Sequence, residues 1–178
     1  MSVVERRTGE TDIRVELVQG SGIASVNTGV TFLDHMMTAL ARYAGLDITI
    51  AATGDLRHHL IEDVAIATGT AFARMIPEAC ARYGDRTIPM DEALVHVSID
   101  AGGRPYYEGP LPSSLYDHWM RSFADHARMT LHIRVLRGTD RHHIVEAAFK
   151  ALGLAMRDAL VETKEVFSTK GVVSLDAK

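Results

Sequence analysis

The chain has one cysteine, Cys80, in 178 residues, so no internal disulfide framework can brace it, and a lone thiol suits a reducing cytosol. It lacks a basic tract and carries a net charge of -4, which argues against nucleic acid or an anionic membrane as partner. It also lacks an apolar run at its start. Met1 to Arg14 holds Glu5, Arg6, Arg7, Glu10, Asp12 and Arg14, so neither a secretory signal nor a membrane span is expected. No low-complexity linker divides it. What remains is an ordinary globular composition, 47% hydrophobic and 24% charged. A chain of this length buries roughly 70% of its unfolded surface, so metal is not needed simply to fold it.

Against that plain background stands a repeated pattern. Asp34-His35 is followed by His58-His59-Leu60-Ile61-Glu62, and Asp117-His118 by His142-His143-Ile144-Val145-Glu146. The first element recurs at an offset of 83 residues and the second at 84, and together they take six of the nine histidines. One His-His pair is usually no more than two polar side chains exposed to solvent. The same imidazoles and carboxylates appearing twice in matching order are hard to produce by drift and point to bound metal.

The flanking pattern repeats as well. Ile13–Leu17 alternates as a strand, Ile23–Val26 reads as a short strand, and Phe32–Tyr43 has helical spacing closed by Gly45. Leu46–Ile50 alternates again, and a long helix is expected from His59 to Ala81, with Gly69 as a weak point inside it. Strand Ala93–Ile99, short strand Arg104–Glu108, helix Leu115–Ala127, strand Met129–Leu136 and helix Ile144 to about Thr163 then follow the same order. The sequence therefore predicts an α+β fold built by internal duplication of a strand-strand-helix-strand-helix unit. Residues 1–86 and 87–178 are the halves, joined by a loop near Tyr83–Met90 and packed helix face to helix face in one compact domain.

Helix geometry sorts the donors. Adjacent residues point about 100° apart, so His58 and His59 cannot easily grip one ion, whereas residues four apart share a face. His58 pairs with Glu62 and His142 with Glu146. If the halves are related by a pseudo-twofold, the natural sets are His58, Glu62, His118, His143 and His142, Glu146, His35, His59. Three imidazoles with one carboxylate suit Mn, Fe, Zn or Ni and lack the thiolates of structural zinc. His96, His126 and His132 read as structural, and Met36, Met37 and Met129 as core. Arg82, Arg104 and Lys170 lie beside flexible backbone, as a phosphate dianion would require, although each alone reads as a solvated charge. Glu10 is open to an acid-base role or to none.

These residues resemble the imidazoleglycerol-phosphate dehydratase family nearly end to end. The resemblance is carried by Glu10-Thr11, Thr28-Gly29-x-x-Phe32-Leu33-Asp34-His35-Met36, Gly54-Asp55, His58-His59-x-x-Glu62-Asp63 and Pro89-Met90-Asp91-Glu92-Ala93. Gly103-Arg104-Pro105, Thr130-Leu131-His132, His142-His143-x-x-Glu146-Ala147, Phe149-Lys150-Ala151 and Ser168-Thr169-Lys170-Gly171 complete it. It implies a sandwich of the ribosomal-protein-S5-domain-2 type and a cytoplasmic lyase of histidine biosynthesis. The implied reaction dehydrates D-erythro-imidazole glycerol phosphate to imidazole acetol phosphate through an imidazolate stabilised by two Mn2+ ions per active site. It further implies a homo-oligomeric 24-subunit shell with sites where subunits meet. The residues it carries over are His35, His58, His59, Glu62, His118, His142, His143 and Glu146 for metal. Arg82, Arg104 and the Ser168-Thr169-Lys170 segment are carried over for phosphate, and Glu10, with His59 and His143, for catalysis. Departures from the family pattern fall at Thr31, Gly102, Asp140-Arg141, and Leu56-Arg57, where the run into the first His-His pair is shorter.

Two other readings use some of the same residues. A dinuclear metallohydrolase of a small phosphate ester would need more carboxylates and a bridging aspartate. A metal-storing shell protein would leave Arg82, Arg104 and Lys170 without a purpose.

Overall fold

The computed structural model describes residues 1–166, in which two four-stranded sheets are each backed by two helices. In the first half, β1 (Ser2–Arg7), β2 (Thr11–Gln19), β3 (Ala24–Asn27) and β4 (Leu46–Gly54) form a sheet of order β1-β2-β4-β3, with helices α1 (Thr31–Ala44) and α2 (Arg57–Ala73). In the second, β5 (Tyr83–Met90), β6 (Ala93–Asp100), β7 (Tyr106–Glu108) and β8 (Thr130–Arg137) take the equivalent order β5-β6-β8-β7, with α3 (Ser114–Ala127) and α4 (Arg141–Ala159). The α+β class and the duplication are as expected, but each half carries one more strand than the sequence predicts.

The two added strands are edges, which is why pattern reading passes over them. Among the described residues β1 pairs only with β2, and its exposed or half-exposed Glu5, Arg6 and Arg7 mask the alternation that turns Val4 inward. β5 contains Gly84, Asp85 and Pro89, residues that mark a loop, yet it pairs along its length with β6. Proline is tolerated at a sheet edge because one face of the strand has no ladder partner. This strand runs through residues 86 and 87, where the halves were expected to join. The helix expected to reach Ala81 ends at Ala73, four residues ahead of Pro77, and the last helix ends at Ala159 and not near Thr163.

Helices of the two halves meet face to face, α2 on α3 and α1 on α4, between the two sheets. Trp119, Phe123 and Phe149 are fully buried there, with Trp119 ring centroids 5.0 Å from Phe123 and 4.6 Å from Phe149. Met36, Met37 and Met129 are also buried. Gly69 proves to be the contact point rather than a weakness. A Cβ there would lie 2.6 Å from the Phe123 carbonyl oxygen, and one at Gly153, its counterpart on α4, 2.9 Å from Tyr43. Glycine lets both helix pairs approach backbone to side. Gly69→Ala, which would gain about 1 kcal/mol in an exposed helix, should instead destabilise by about 1–3 kcal/mol because backbone must move. Thermal unfolding of the metal-stripped chain should show the midpoint falling by about 2–4 °C per kcal/mol.

Candidate metal centre

The facing of α1 on α4 and α2 on α3 brings each half's single histidine to the other half's His-x-x-x-Glu pair. His35 of α1 meets His142 and Glu146 of α4, and His118 of α3 meets His58 and Glu62 of α2. In both groups, one donor atom from each residue lies within 4.8 Å of the others. In the first, Glu146 Oε2 stands 3.2 Å from His35 Nε2 and 3.0 Å from His142 Nε2. In the second, Glu62 Oε1 is 3.2 Å from His118 Nε2 and Oε2 is 3.7 Å from His58 Nε2, with the two rings stacked at 5.1 Å. His118 Nε2 is sealed from solvent with no well-aligned hydrogen bond, although Glu62 is close. A buried ring nitrogen close to a carboxylate without a proper bond to it fits a place where both would donate to one cation.

The aspartates of the repeated Asp-His pairs do other work. Asp34 accepts from the Thr28 backbone N–H at 3.0 Å and its hydroxyl at 2.6 Å, and Asp117 from the Tyr107 hydroxyl and the Leu111 N–H. Each ties the incoming loop to the first turn of its helix and so fixes the histidine that follows it.

His59 and His143 do not join these groups, so the structure assembles three of the four residues expected in each set. Their Nδ1 atoms are held by carboxylates. His59 Nδ1 is 2.9 Å from Asp55 Oδ1 and 3.5 Å from Glu10 Oε2, and His143 Nδ1 is 2.7 Å from Glu92 Oε2. The hydrogen bond to Asp55 raises the His59 pKa, and that to Glu92 raises the His143 pKa. Glu92 is pushed down to about 2, first by the Asp140 N–H, then by His143 and the Thr139 N–H. At Glu146, burial pushes the carboxyl up, but hydrogen bonds from Lys150 and His35 outweigh it and hold the group below its ordinary value. Asp55, Glu92 and Lys150 carried no site assignment in the sequence. Asp55 was legible in principle, only four residues before His59 in the chain, whereas Glu92 is remote in the chain from His143.

The Glu92–His143 pair has a two-sided pH dependence in metal-stripped protein. A depressed carboxyl stabilises fully above its ordinary 4.5 and loses that contribution as pH falls toward about 2. A raised histidine stabilises fully below 6.5 and loses it as pH climbs through the folded value. The urea midpoint should therefore peak at mildly acidic pH and fall on both sides, less so in high salt because both groups face solvent.

Of the expected phosphate contacts, two, Arg82 and Arg104, fall among the described residues. Arg82 takes a left-handed backbone angle, φ 68°, and forks onto Asp100, with Nε and Nη2 at 2.5 and 2.9 Å from the two carboxylate oxygens. It lines a cavity of about 350 Å³ with Ile76, Cys80, Gly102, Gly103 and Arg128, and none of the clustered histidines borders it. Arg104 is exposed in the loop before β7. Ser168, Thr169 and Lys170 lie outside the described residues.

The family profile described as imidazoleglycerol-phosphate dehydratase matches residues 28–156. The imidazoleglycerol-phosphate dehydratase of Parafrankia sp. (strain EAN1pec) is 43% identical over 189 residues, covering 96% of this chain and 97% of its own. That of Methanococcoides burtonii is 43% identical over 187 residues, again covering 96% and 97%. Among solved structures, the Pyrococcus furiosus enzyme in complex with (S)-C348 superposes with a TM-score of 0.87 at 44% identity, covering 96% of this chain and all of that one. The Staphylococcus aureus enzyme gives 0.82 at 34% identity, covering 91% and 99%.

Proposed function

The chain belongs to the imidazoleglycerol-phosphate dehydratase family, lyases (EC 4.2.1.19) of histidine biosynthesis, and from that premise we propose that it works with two Mn2+ ions per active site. One ion would be held by His58, Glu62 and His118 and the other by His35, His142 and Glu146. The observation that carries this reading is the pair of matched groups, each with two imidazoles, one carboxylate and no thiol, and one of them with an orphaned buried ring nitrogen. That donor chemistry fits a divalent transition cation of intermediate hardness. Bound at these positions, such ions supply Lewis acidity toward the two nitrogens of the substrate's imidazole ring.

The remaining work falls to the chain's own groups. Glu10 sits on the β1–β2 turn with its side chain 57% exposed and one oxygen 3.5 Å from His59 Nδ1. It is an open carboxylate beside His59, and we assign it the proton taken from the substrate carbon next to the one that loses hydroxide. Arg82, Arg104, Ser168, Thr169 and Lys170 are assigned to the phosphate. For Arg82 this requires sharing its guanidinium with Asp100.

Three donors leave coordination places open, and His59 and His143 keep their Nε2 atoms out of their own chain's groups. This supports completion of each site by a neighbouring copy, and we take the assembly to be the shell of 24 that the family resemblance implies. Leu56 and Leu136 are exposed large apolar side chains beside the two His-His helix starts, as a surface covered by another subunit would have. A free, buried Cys80 favours the cytoplasm, and no helix among the described residues is long and apolar enough to cross a membrane.

Elemental analysis of the purified protein, run beside turnover of imidazole glycerol phosphate with and without Mn2+, tests the reading. Loss of turnover on chelation and its return with Mn2+ are expected. Full activity of the stripped protein would contradict it, and release of inorganic phosphate would favour the metallohydrolase.

A further inference from the structure

Building on the reading of His143 as a metal ligand, we propose that Glu92 is a positioning residue whose carboxylate accepts the Nδ1–H of His143 and so keeps Nε2 as the lone-pair nitrogen available to a cation. A neutral imidazole carries its proton on one nitrogen only, and which one is set by the partner of the other. Ring nitrogens that bind metals are commonly paired through their second nitrogen to a carboxylate in this way.

The carboxylate is built in at both ends. Glu92 Oε2 faces His143 Nδ1 at 2.7 Å, while Oε1 accepts from the backbone N–H groups of Thr139 at 3.2 Å and Asp140 at 2.8 Å. Those amides lead directly into α4, the helix that carries His143. Carboxylate and ring are therefore fixed to the same piece of backbone, although Glu92 is on the β5–β6 turn. The far nitrogen, Nε2, is only loosely engaged, 3.5 Å from the exposed carboxylate of Asp91. That contact gives way when a cation takes the nitrogen.

The first half arrives at the same arrangement by another route. There Asp55 holds His59 Nδ1 at 2.9 Å and takes the Leu56 N–H as well. Glu10 and Glu92 occupy equivalent hairpin turns, β1–β2 and β5–β6. In one half the turn glutamate remains free beside a histidine oriented by Asp55. In the other, the turn glutamate does the orienting itself. Duplication thus yielded two like carboxylates with divided tasks, Glu10 for proton transfer and Glu92 for holding a ring.

The test reads the imidazole nitrogens by 15N NMR in metal-stripped full-length protein at alkaline pH, where the ring is neutral, together with Mn2+ titration. Wild type should show His143 as the Nδ1–H tautomer. Glu92→Ala should move it toward Nε2–H and weaken Mn2+ binding by about 10–100-fold. A purely structural role would lower the melting temperature and leave the tautomer in place, which overturns the proposal. So does an Nε2–H tautomer in wild type, a measurement that needs no variant to fold. His143→Ala separates the two ideas. If it loses Mn2+ affinity while Glu92→Ala keeps both affinity and tautomer, Glu92 has no positioning role and the metal reading stands. If His143→Ala binds Mn2+ as wild type does, the metal reading of His143 falls, and with it this proposal, whatever the tautomer.

Discussion

Replacing His142 by alanine should lower kcat by about three orders of magnitude or more, with loss of Mn2+ from one of two positions. A metal acting as Lewis acid contributes several kcal/mol to the transition state, and each 1.4 kcal/mol is a factor of about ten. His142 Nε2 is 3.0 Å from Glu146 Oε2 and shares that oxygen with His35, so its loss opens one corner of a three-donor group. The ring also rests against Phe32 at 5.0 Å, a packing contact on the surface side that the core can spare. Circular dichroism should therefore be unchanged while metal content falls. His58→Ala should do the same at the other group. His96→Ala is the control: that ring bonds Thr87 on the edge strand and touches neither group, so turnover should hold. Near wild-type kcat in His142→Ala with metal content reduced would sever the link between the ion and the reaction.

The second large effect is expected at Glu10. Glu10→Gln keeps the shape and removes the proton acceptor, so kcat should drop about 10²–10⁴-fold. Metal content and KM should change little, because the turn is held independently of the Glu10 side chain. The Thr8 hydroxyl accepts from the backbone N–H of both Glu10 and Thr11, and the Thr11 hydroxyl donates to buried Asp63 on α2. Asp63 in turn is 2.9 Å from Arg6 Nε on β1. The substitution thus leaves in place the ties that put residue 10 beside His59. A variant with unchanged kcat would move the proton-transfer role to another group.

Several parts of this site could be read without any coordinates. His58 with Glu62, and His142 with Glu146, follow from helical period alone, since a four-residue step returns to the same face. The α+β duplication follows from strand and helix patterns recurring in the same order. Other parts were hidden for stated reasons. β1 and β5 are edge strands whose charged residues, glycine and proline serve an unpaired border, so alternation is blurred where it is needed for recognition. Gly69 looked like a defect because sequence shows neighbours along the helix but not the Phe123 carbonyl that crosses it.

The set of donors was fixed by the order of residues along the chain, because imidazole and carboxylate chemistry and the helical repeat are local properties. Which donors meet was decided by the packing of α1 on α4 and α2 on α3, since His35 reaches Glu146, 111 residues away, only when the two halves close on each other. The same closure left His59 and His143 outside, each held by a carboxylate from its own half. A period along the sequence sets which way a side chain points, whereas the partner it finds depends on where a remote segment comes to rest.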